Sequence, residues 1–528
     1  MRTGYFSVFM FLVIAGIFEI ATSNRWVAIG LSVSFIVSLF ILSKLKYKYT
    51  RFALVYNDIF GFDRKVYRDI FRTYGKDAFA ATALIVVLAA LFVVVLFFAG
   101  DSNNHPAVVY SSLVISATGA WLLVPYAMNE YRRANWDGRH ISTFLATMLA
   151  QRFRPADMTR LTISAPPSSA NIGKPASQVD EAPHIILIGG ESTFPPRLFE
   201  LPEEPDIARF FDGKEGLREL KVEIFGGQTI LSHTSCLTGL STLLFGENRA
   251  YAPRFWRDRI GVSLPFFLKS HGYSVTALLS GQRDWMGIGG LYETIGIDSV
   301  FEASDYMTAD GVDTMYARDS SVYAAALADL GSRMERGRTC TIVETMRNHG
   351  PHTKTLTNEA REVSSRDWFA DTCRSLNRPL LHQAAEWYGR LRASVDDYND
   401  FKTKLAANHP NQTFLIVHYG DHQPTFCADI QGASPEQLFK TYLTVDWIGQ
   451  SPEGSQVCAA GSLPIFFVDV LLARAAGLPL DGFLQAKQVL LESDPQNACF
   501  DSPQYQGLIA SLVESGKLRP GNYSIQAS

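Results

Sequence analysis

Basic charge is not in excess in this 528-residue sequence: 48 Lys and Arg stand against 52 Asp and Glu, for a formal net charge of −4. A chain that binds nucleic acid gathers Lys and Arg to meet phosphate, so that class of partner is excluded. Cysteine is sparse as well, and none of the six (Cys236, Cys340, Cys373, Cys427, Cys458, Cys499) forms a metal-type CxxC pair. All six follow residue 130. An even count there fits an oxidising compartment and permits disulfides, the alternative being six buried thiols. No small-residue cleavage site follows the first apolar run and a second run begins at once, so the N-terminus reads as an anchor rather than a signal peptide. No internal repeat is evident.

What is present in quantity is apolar sequence, 47% of residues with 12% aromatic, more than a soluble core requires. Four nearly charge-free runs account for it: Tyr5 to Ala21, Trp26 to Ser43, Ala78 to Ala99 and Ala107 to Met128. A bilayer's hydrocarbon needs about 20 helical residues, so residues 1–130 are expected to form a transmembrane domain of four helices. Residues 44–77 between the second and third runs carry Lys44, Lys46, Lys48, Arg51, Arg64, Lys65, Arg68, Arg72 and Lys76 with interleaved aromatics, an amphipathic membrane-surface pattern. By positive charge alone this loop, and the C-terminal part with it, would be cytoplasmic. The cysteines argue for the opposite side.

Residues 131–182 turn basic and then rich in Ser, Pro and Ala (TISAPPSSANIGKPASQ), as a juxtamembrane helix and flexible linker do. From 183 to 528, the strand-like runs HIILIGG, SVTALLS, CTIVETM, TFLIVHYG and LPIFFVDV alternate with helical stretches, notably LHQAAEWYGRLRASVDDYNDFKTKL. Strands separated by helices predict an α/β domain with a mostly parallel central sheet flanked by helices. Ligands gather at the carboxyl edge of such sheets.

At that edge the runs end in chemistry. IILIGG stops at Glu191 and FLIVHYG at Asp421-His422, oxygen and nitrogen ligands that suit a divalent cation. Each has a plainer alternative: Glu191 in a turn into a helix, Asp421 as a cap, His422 at the surface. Thr229 follows Gly226-Gly227-Gln228 and precedes Ser232, His233, Thr234 and an expected helix LTGLSTLLFG. A hydroxyl at a helix N-terminus beside a cation can act as a nucleophile, and an N-cap threonine is the alternative. RNHGPH after CTIVETM supplies His349 and His352 on a turn; Arg283 and Trp285 follow SVTALLS and either line the same edge or pack.

Taken together, these motifs resemble the lipoteichoic acid synthases and membrane phosphoglycerol or phosphoethanolamine transferases of the alkaline phosphatase and sulfatase superfamily. GGEST is similar to the family strand ending in a metal-binding glutamate, here Glu191. GGQTILSHTSCLTGLSTLLFG resembles the nucleophile segment, with the catalytic threonine at Thr229, itself a metal ligand. RNHGPH resembles the loop whose histidine, here His349, touches the substrate phosphate, and YGDHQP the closing metal motif, Asp421 and His422. GIDSVFEASDY is also similar to a family segment, and Trp285 and Arg283 are approximate counterparts of the Trp and Arg before it, with His352 beside His349 as a further substrate contact.

The resemblance implies an N-terminal helical transmembrane domain and a catalytic α/β domain on the periplasmic, extracytoplasmic side of a bacterial inner membrane. It also implies one divalent metal ion (Mn2+ or Zn2+ ahead of Mg2+), a phospholipid donor and a glycan or glycolipid acceptor. Two departures sharpen it. Cys236-Leu237-Thr238-Gly239-Leu240 lacks the proline and arginine of the Cys or Ser, x, Pro, x, Arg sulfatase nucleophile, which disfavours sulfate esters. No second Asp and His ligand set stands out, which disfavours a two-metal phosphatase. The expected activity is head-group transfer through a phospho-threonine; hydrolysis of a phosphodiester, or of a sulfate ester, and non-catalytic lipid binding are the alternatives.

Overall fold

The structure, a computed structural model, describes residues 2–50, 53–56, 58, 75–77, 79–84, 86–87, 90, 106–133, 144–149, 162–163, 182–212, 218–244, 249, 252–283, 285–307, 316–353, 358–364, 367–451, 462–493, 499–519 and 524–525. It divides into two compact units, Met1–Arg160 with Phe245–Asn248, and Leu161–Leu244 with Arg249–Ser528.

Among the described residues, the first unit has three long helices, α1 (Arg2–Thr22), α2 (Arg25–Thr50) and α3 (Pro106–Arg133). Asn24 separates the first two by capping α2, its side-chain oxygen accepting from the backbone N–H groups of Trp26 and Val27 at 3.0 and 3.2 Å. Among the described residues, Tyr5–Thr22 and Arg25–Lys48 are long and apolar enough to cross a membrane. The apolar part of α3 is the shorter Val109–Val124. The run expected to span at 78–99, the basic segment 44–77 and the linker 131–182 lie largely outside the described residues.

The second unit is built on an eight-stranded sheet: β1 (His184–Gly190), β2 (Arg218–Lys221), β3 (Ser274–Leu279), β4 (Ser299–Phe301), β5 (Thr339–Glu344), β6 (Phe414–Gly420), β7 (Lys440–Ile448) and β8 (Ser462–Pro464). Their spatial order is β4-β3-β5-β1-β6-β7-β2-β8, and every neighbouring pair is parallel except those made by β7. The central strands are buried on both faces, which is why they read as unbroken Ile, Leu and Val runs. Register places Gly189 opposite Glu344 and Tyr419, and Gly190 opposite Gly420. The chain therefore leaves three adjacent strands at one level, delivering Glu191, Thr345 and Asp421 side by side.

Helices α4 (Thr229–Thr238), α5 (Asp319–Arg333), α6 (Arg378–Asn408), α7 (Val468–Ala475) and α8 (Gly482–Ser493) are the ones that bear on the site. The side chain of Asn377 accepts from the N–H of Leu380 at 3.1 Å and Pro379 sits in the first turn, so α6 starts sharply. Ile186, Ile188, Trp387, Tyr398 and Ile416 belong to the main core between sheet and helices.

Two expected elements come out differently. LPIFFVDV forms a strand only at Ser462–Pro464; Ile465–Phe467 is a 3-10 turn and Val468 opens α7. A run apolar at every position fits a buried helix as well as a buried strand. The nucleophile-segment helix starts at Thr229 rather than in LTGLSTLLFG and stops at Gly239, whose φ of 66° ends it. Among the described cysteines, Cys236, Cys340, Cys373 and Cys427 are buried and Cys499 is exposed.

Candidate active site

Glu191 leaves β1 and Asp421-His422 leave β6. Beside them, Gly226, Gly227 and Gln228 take φ values of 78°, 149° and 66° before Thr229 begins α4. Two glycines meet that backbone without strain, whereas Gln228 and Ser192 (φ 48°) hold left-handed conformations that ordinary residues avoid. Strained residues on both sides of one point mark a place where geometry is imposed. The N–H of Gly226 donates to the Gln423 carbonyl at 2.8 Å and the Ser232 hydroxyl to the Asp421 carbonyl at 2.5 Å, fastening the two loops together.

The structure thus brings Glu191, Thr229, Asp421 and His422 into one cluster. The Thr229 hydroxyl donates to Glu191 Oε2 at 2.7 Å and lies 3.2 Å from His422 Nε2. His422 Nε2 is 3.6 Å from Glu191 Oε1 and 3.3 Å from Asp421 Oδ2. Asp421 Oδ1 accepts the backbone N–H groups of Ser192 and His422 at 2.7 and 2.6 Å. The two carboxylates and the imidazole are at most 2% exposed, whereas Thr229 is half-buried.

Hydrogen-bond accounting tests whether a cation fits. His422 Nδ1 faces the Gln423 carbonyl at 3.1 Å, and a carbonyl only accepts, so Nδ1 carries the proton and Nε2 presents a lone pair. Asp421 Oδ2 is buried with no hydrogen-bond partner. Lone pairs from Glu191, Asp421 and His422 therefore converge within 4.8 Å, an arrangement that repels itself unless a positive charge sits at its centre. These residues fit a divalent cation bound by mixed oxygen and nitrogen donors.

The electrostatics agree. Burial pushes the Glu191 carboxyl up, but His349, His422 and the hydroxyls of Ser192 and Thr229 hold it below the usual carboxylate range. Burial and then the Glu191 charge drive Asp421 well above that range. Burial lowers the His422 pKa against the opposing pull of the Glu191 charge.

The other expected residues divide. His349 lies near enough to Glu191 to lower the carboxyl's pKa, and it is half-buried with Nδ1 lacking a hydrogen-bond partner. His352 is buried, with Nε2 turned back onto the Asn348 carbonyl at 2.9 Å, so it braces the loop. Trp285 and Arg283 lie past the end of β3, where Arg283 forms an ion pair with Glu293.

Sequence reasoning missed His233, one helical turn after Thr229, whose Nδ1 pairs with the Tyr419 hydroxyl at 2.5 Å behind the cluster. A Cβ on Gly189 would come within 2.3 Å of the His233 ring, which is why a glycine stands there. It also missed Trp387, which donates to the Ser192 carbonyl at 2.9 Å.

Residues 183–457, more than half of the chain, match the Sulfatase family model. The chain belongs to the sulfatase family. This is the family its motifs resemble, within the alkaline phosphatase and sulfatase superfamily, and it is a family of enzymes. No curated protein matches it. Among solved structures, the integral membrane lipooligosaccharide phosphoethanolamine transferase A of Neisseria meningitidis shares the fold at 13% identity and a TM-score of 0.52, covering 90% of this chain and 95% of that one. The Streptococcus pyogenes phosphoglycerol transferase GacH, solved with sn-glycerol-1-phosphate, shares it at 14% identity and a TM-score of 0.50, covering 70% and 91%. Within this sulfatase-family site the Cys236 thiol is buried and pushed up in pKa by that burial, away from nucleophilic thiolate chemistry.

Proposed function

We propose that this protein is a membrane-anchored transferase that takes a phosphoglycerol or phosphoethanolamine head group from a phospholipid onto Thr229 and passes it to a hydroxyl of a glycan or glycolipid. The observation that carries the reading is the position of Thr229 Oγ1, half-buried at a helix N-terminus, 2.7 Å from Glu191 Oε2 and 3.2 Å from His422 Nε2. Thr229 Oγ1 attacks the head-group phosphorus, the phosphorus bond to the diacylglycerol oxygen breaks, and that oxygen leaves protonated. A phospho-threonine remains, and the acceptor hydroxyl displaces Thr229 in a second step, so one hard substitution becomes two.

A divalent cation held by Glu191, Asp421 and His422, Mn2+ or Zn2+ ahead of Mg2+, supplies charge that favours the threonine alkoxide and the phosphate oxygens. Thr229 opens α4, and a helix N-terminus favours an anionic group. His349 steadies phosphate oxygens from the facing loop. Two apolar N-terminal helices suit a lipid donor, and the likeness to an integral membrane phosphoethanolamine transferase supports an inner-membrane protein whose catalytic domain, from about residue 183, is extracytoplasmic.

Intact-mass analysis after incubation with lipid extract tests this. A single adduct on wild-type protein, missing from Thr229→Ala, is expected, and its mass identifies the group. Head group released to water with no labelled acceptor would favour a phosphodiesterase; no adduct and no turnover would leave only lipid binding.

A further inference from the structure

Helix α6 carries a charge pair that stability does not explain. Arg390 and Glu386 lie one turn apart, each side chain 1% exposed, with Arg390 Nε donating to Glu386 Oε1 at 2.7 Å. Taking charges out of water can cost as much as a buried ion pair returns, and well-packed apolar residues often replace such pairs without loss. Arg390 has unspent capacity too: Nη2 has no hydrogen-bond partner among the described residues.

What the pair does hold is the His349 loop. Arg390 Nη1 donates to the backbone carbonyl of His349 at 2.7 Å, and the guanidinium lies 5.0 Å from the centre of the Tyr316 ring. The His349 ring meets the other side of that neighbourhood, 6.4 Å from Tyr316, whose hydroxyl donates to the Gly350 carbonyl at 3.4 Å. Three residues earlier on the same helix, Trp387 donates to the Ser192 carbonyl at 2.9 Å, next to Glu191, and stacks on Phe194 at 4.2 Å. Positions three apart share a helix face. One rigid helix thus fastens the loop after β1 and the loop after β5 at adjacent points.

We propose that Arg390, oriented by Glu386, is a positioning residue that sets His349 against Glu191 and Thr229, with α6 acting as the ruler between the two loops. This rests on the reading of His349 as a phosphate contact. The guanidinium touches neither substrate nor reacting atoms; it acts through the His349 backbone. Misplacing a catalytic contact by about 1 Å costs on the order of 100-fold in rate, which sets the scale of the effect.

The test uses full-length protein in detergent micelles, turning over fluorescent phosphatidylglycerol and phosphatidylethanolamine with a glycolipid acceptor supplied in excess, and diacylglycerol release as the readout. Arg390→Met alone removes the buried guanidinium from beside Glu386 and is expected to unfold at lower temperature. The double variant Glu386→Leu with Arg390→Met removes both charges and keeps the wild-type Tm. In that folded double variant kcat is expected to fall 10- to 100-fold with KM changed less than threefold. Adding His349→Ala to it is expected to lower kcat no further than His349→Ala does alone. Wild-type kcat in the folded double variant, with His349→Ala impaired, overturns the positioning role and leaves the reading of His349 standing. Wild-type turnover by His349→Ala overturns that reading, and the role of Arg390 with it.

Discussion

Replacing Asp421 by Asn separates the fold's burden from the site's chemistry. Asn keeps an oxygen for the N–H groups of Ser192 and His422, now 2.7 and 2.6 Å from Oδ1, and puts an amide donor where Oδ2 has no partner. In cation-free protein the Asp421 carboxyl is driven well above its ordinary 3.8 by burial and by Glu191. A folded pKa above the unfolded one contributes stability that is present below pH 3.8 and lost as pH rises through the folded value. At pH 7 the ceiling on that loss is about 4 kcal/mol, from roughly 1.4 kcal/mol per pH unit. Burying the new amide returns part of it, so Asp421→Asn is expected to stabilise the cation-free protein by about 1–3 kcal/mol at pH 7 and by little at pH 4. With Mn2+ or Zn2+ at a hundred times Kd, wild type gains about 2.7 kcal/mol and the variant far less. Thermal unfolding in chelator and in added cation, at both pH values, measures all four states. A variant less stable than wild type in chelator at pH 7, with an unchanged response to cation, would refute the convergence of unpaired acceptors.

Three further outcomes follow from other parts of the unit. Thr229→Ala is expected to lose head-group transfer by more than about a thousandfold while unfolding within roughly 1 kcal/mol of wild type, since it removes one half-buried hydroxyl; turnover near wild type would exclude Thr229 as nucleophile. Asp319, buried and pushed up to about 6 by that burial, contributes stability below pH 3.8 that is lost as pH rises through 6. His418, pulled down to about 3 by burial among Phe210, Tyr398 and Tyr442, contributes stability above pH 6.5 that is lost as pH falls through 3. The two slopes, each on the order of 1.4 kcal/mol per pH unit, oppose between pH 4 and 6. Relative to wild type, Asp319→Asn should grow more stable, and His418→Phe less stable, as pH rises across that range; parallel Tm profiles would show that neither group titrates as stated. Lys487→Met leaves Asp469 charged and buried beside the C-terminal carbonyl of α4, where Lys487 Nζ now meets both Asp469 oxygens at 2.6 Å and the Gly239 carbonyl at 3.1 Å. A loss of about 3–5 kcal/mol is expected, largely restored by adding Asp469→Leu, and denaturant unfolding of both variants decides it.

The central strands were legible because a strand buried on both faces must be apolar throughout, and the residue that ends it must be polar to face the edge. Glu191 and Asp421 announced themselves in that way. The same property hid IFFVDV, since α7 is buried over nearly all its residues and its sequence has no polar face to betray a helical period. β7 escaped for a different reason: Lys440–Ile448 mixes Lys, Thr, Asp and Trp, and its burial comes from β6 and β2 on either side rather than from its own composition. The short edge strand β4 is only Ser299–Phe301, below the length at which alternation means anything.

At the site, the residues proposed to hold a cation could be named from the sequence and the residues that support them could not. Ligands have a chemical identity that a sequence displays, whereas supports are recognised only by what they touch. Trp387 and Arg390 sit mid-helix in a stretch that reads as a plain amphipathic helix, and their roles exist only because α6 passes the Ser192 and His349 carbonyls. His233 is similar: its place one turn past Thr229 was visible, but the need for it lies in Gly189 and Tyr419, which belong to two other strands. Backbone carbonyls carry no side-chain signature, so any contact made to one is silent in sequence. Trp387 and Arg390 support the site through such contacts, and substitutions there are expected to change the rate of the proposed reaction more than the choice of substrate.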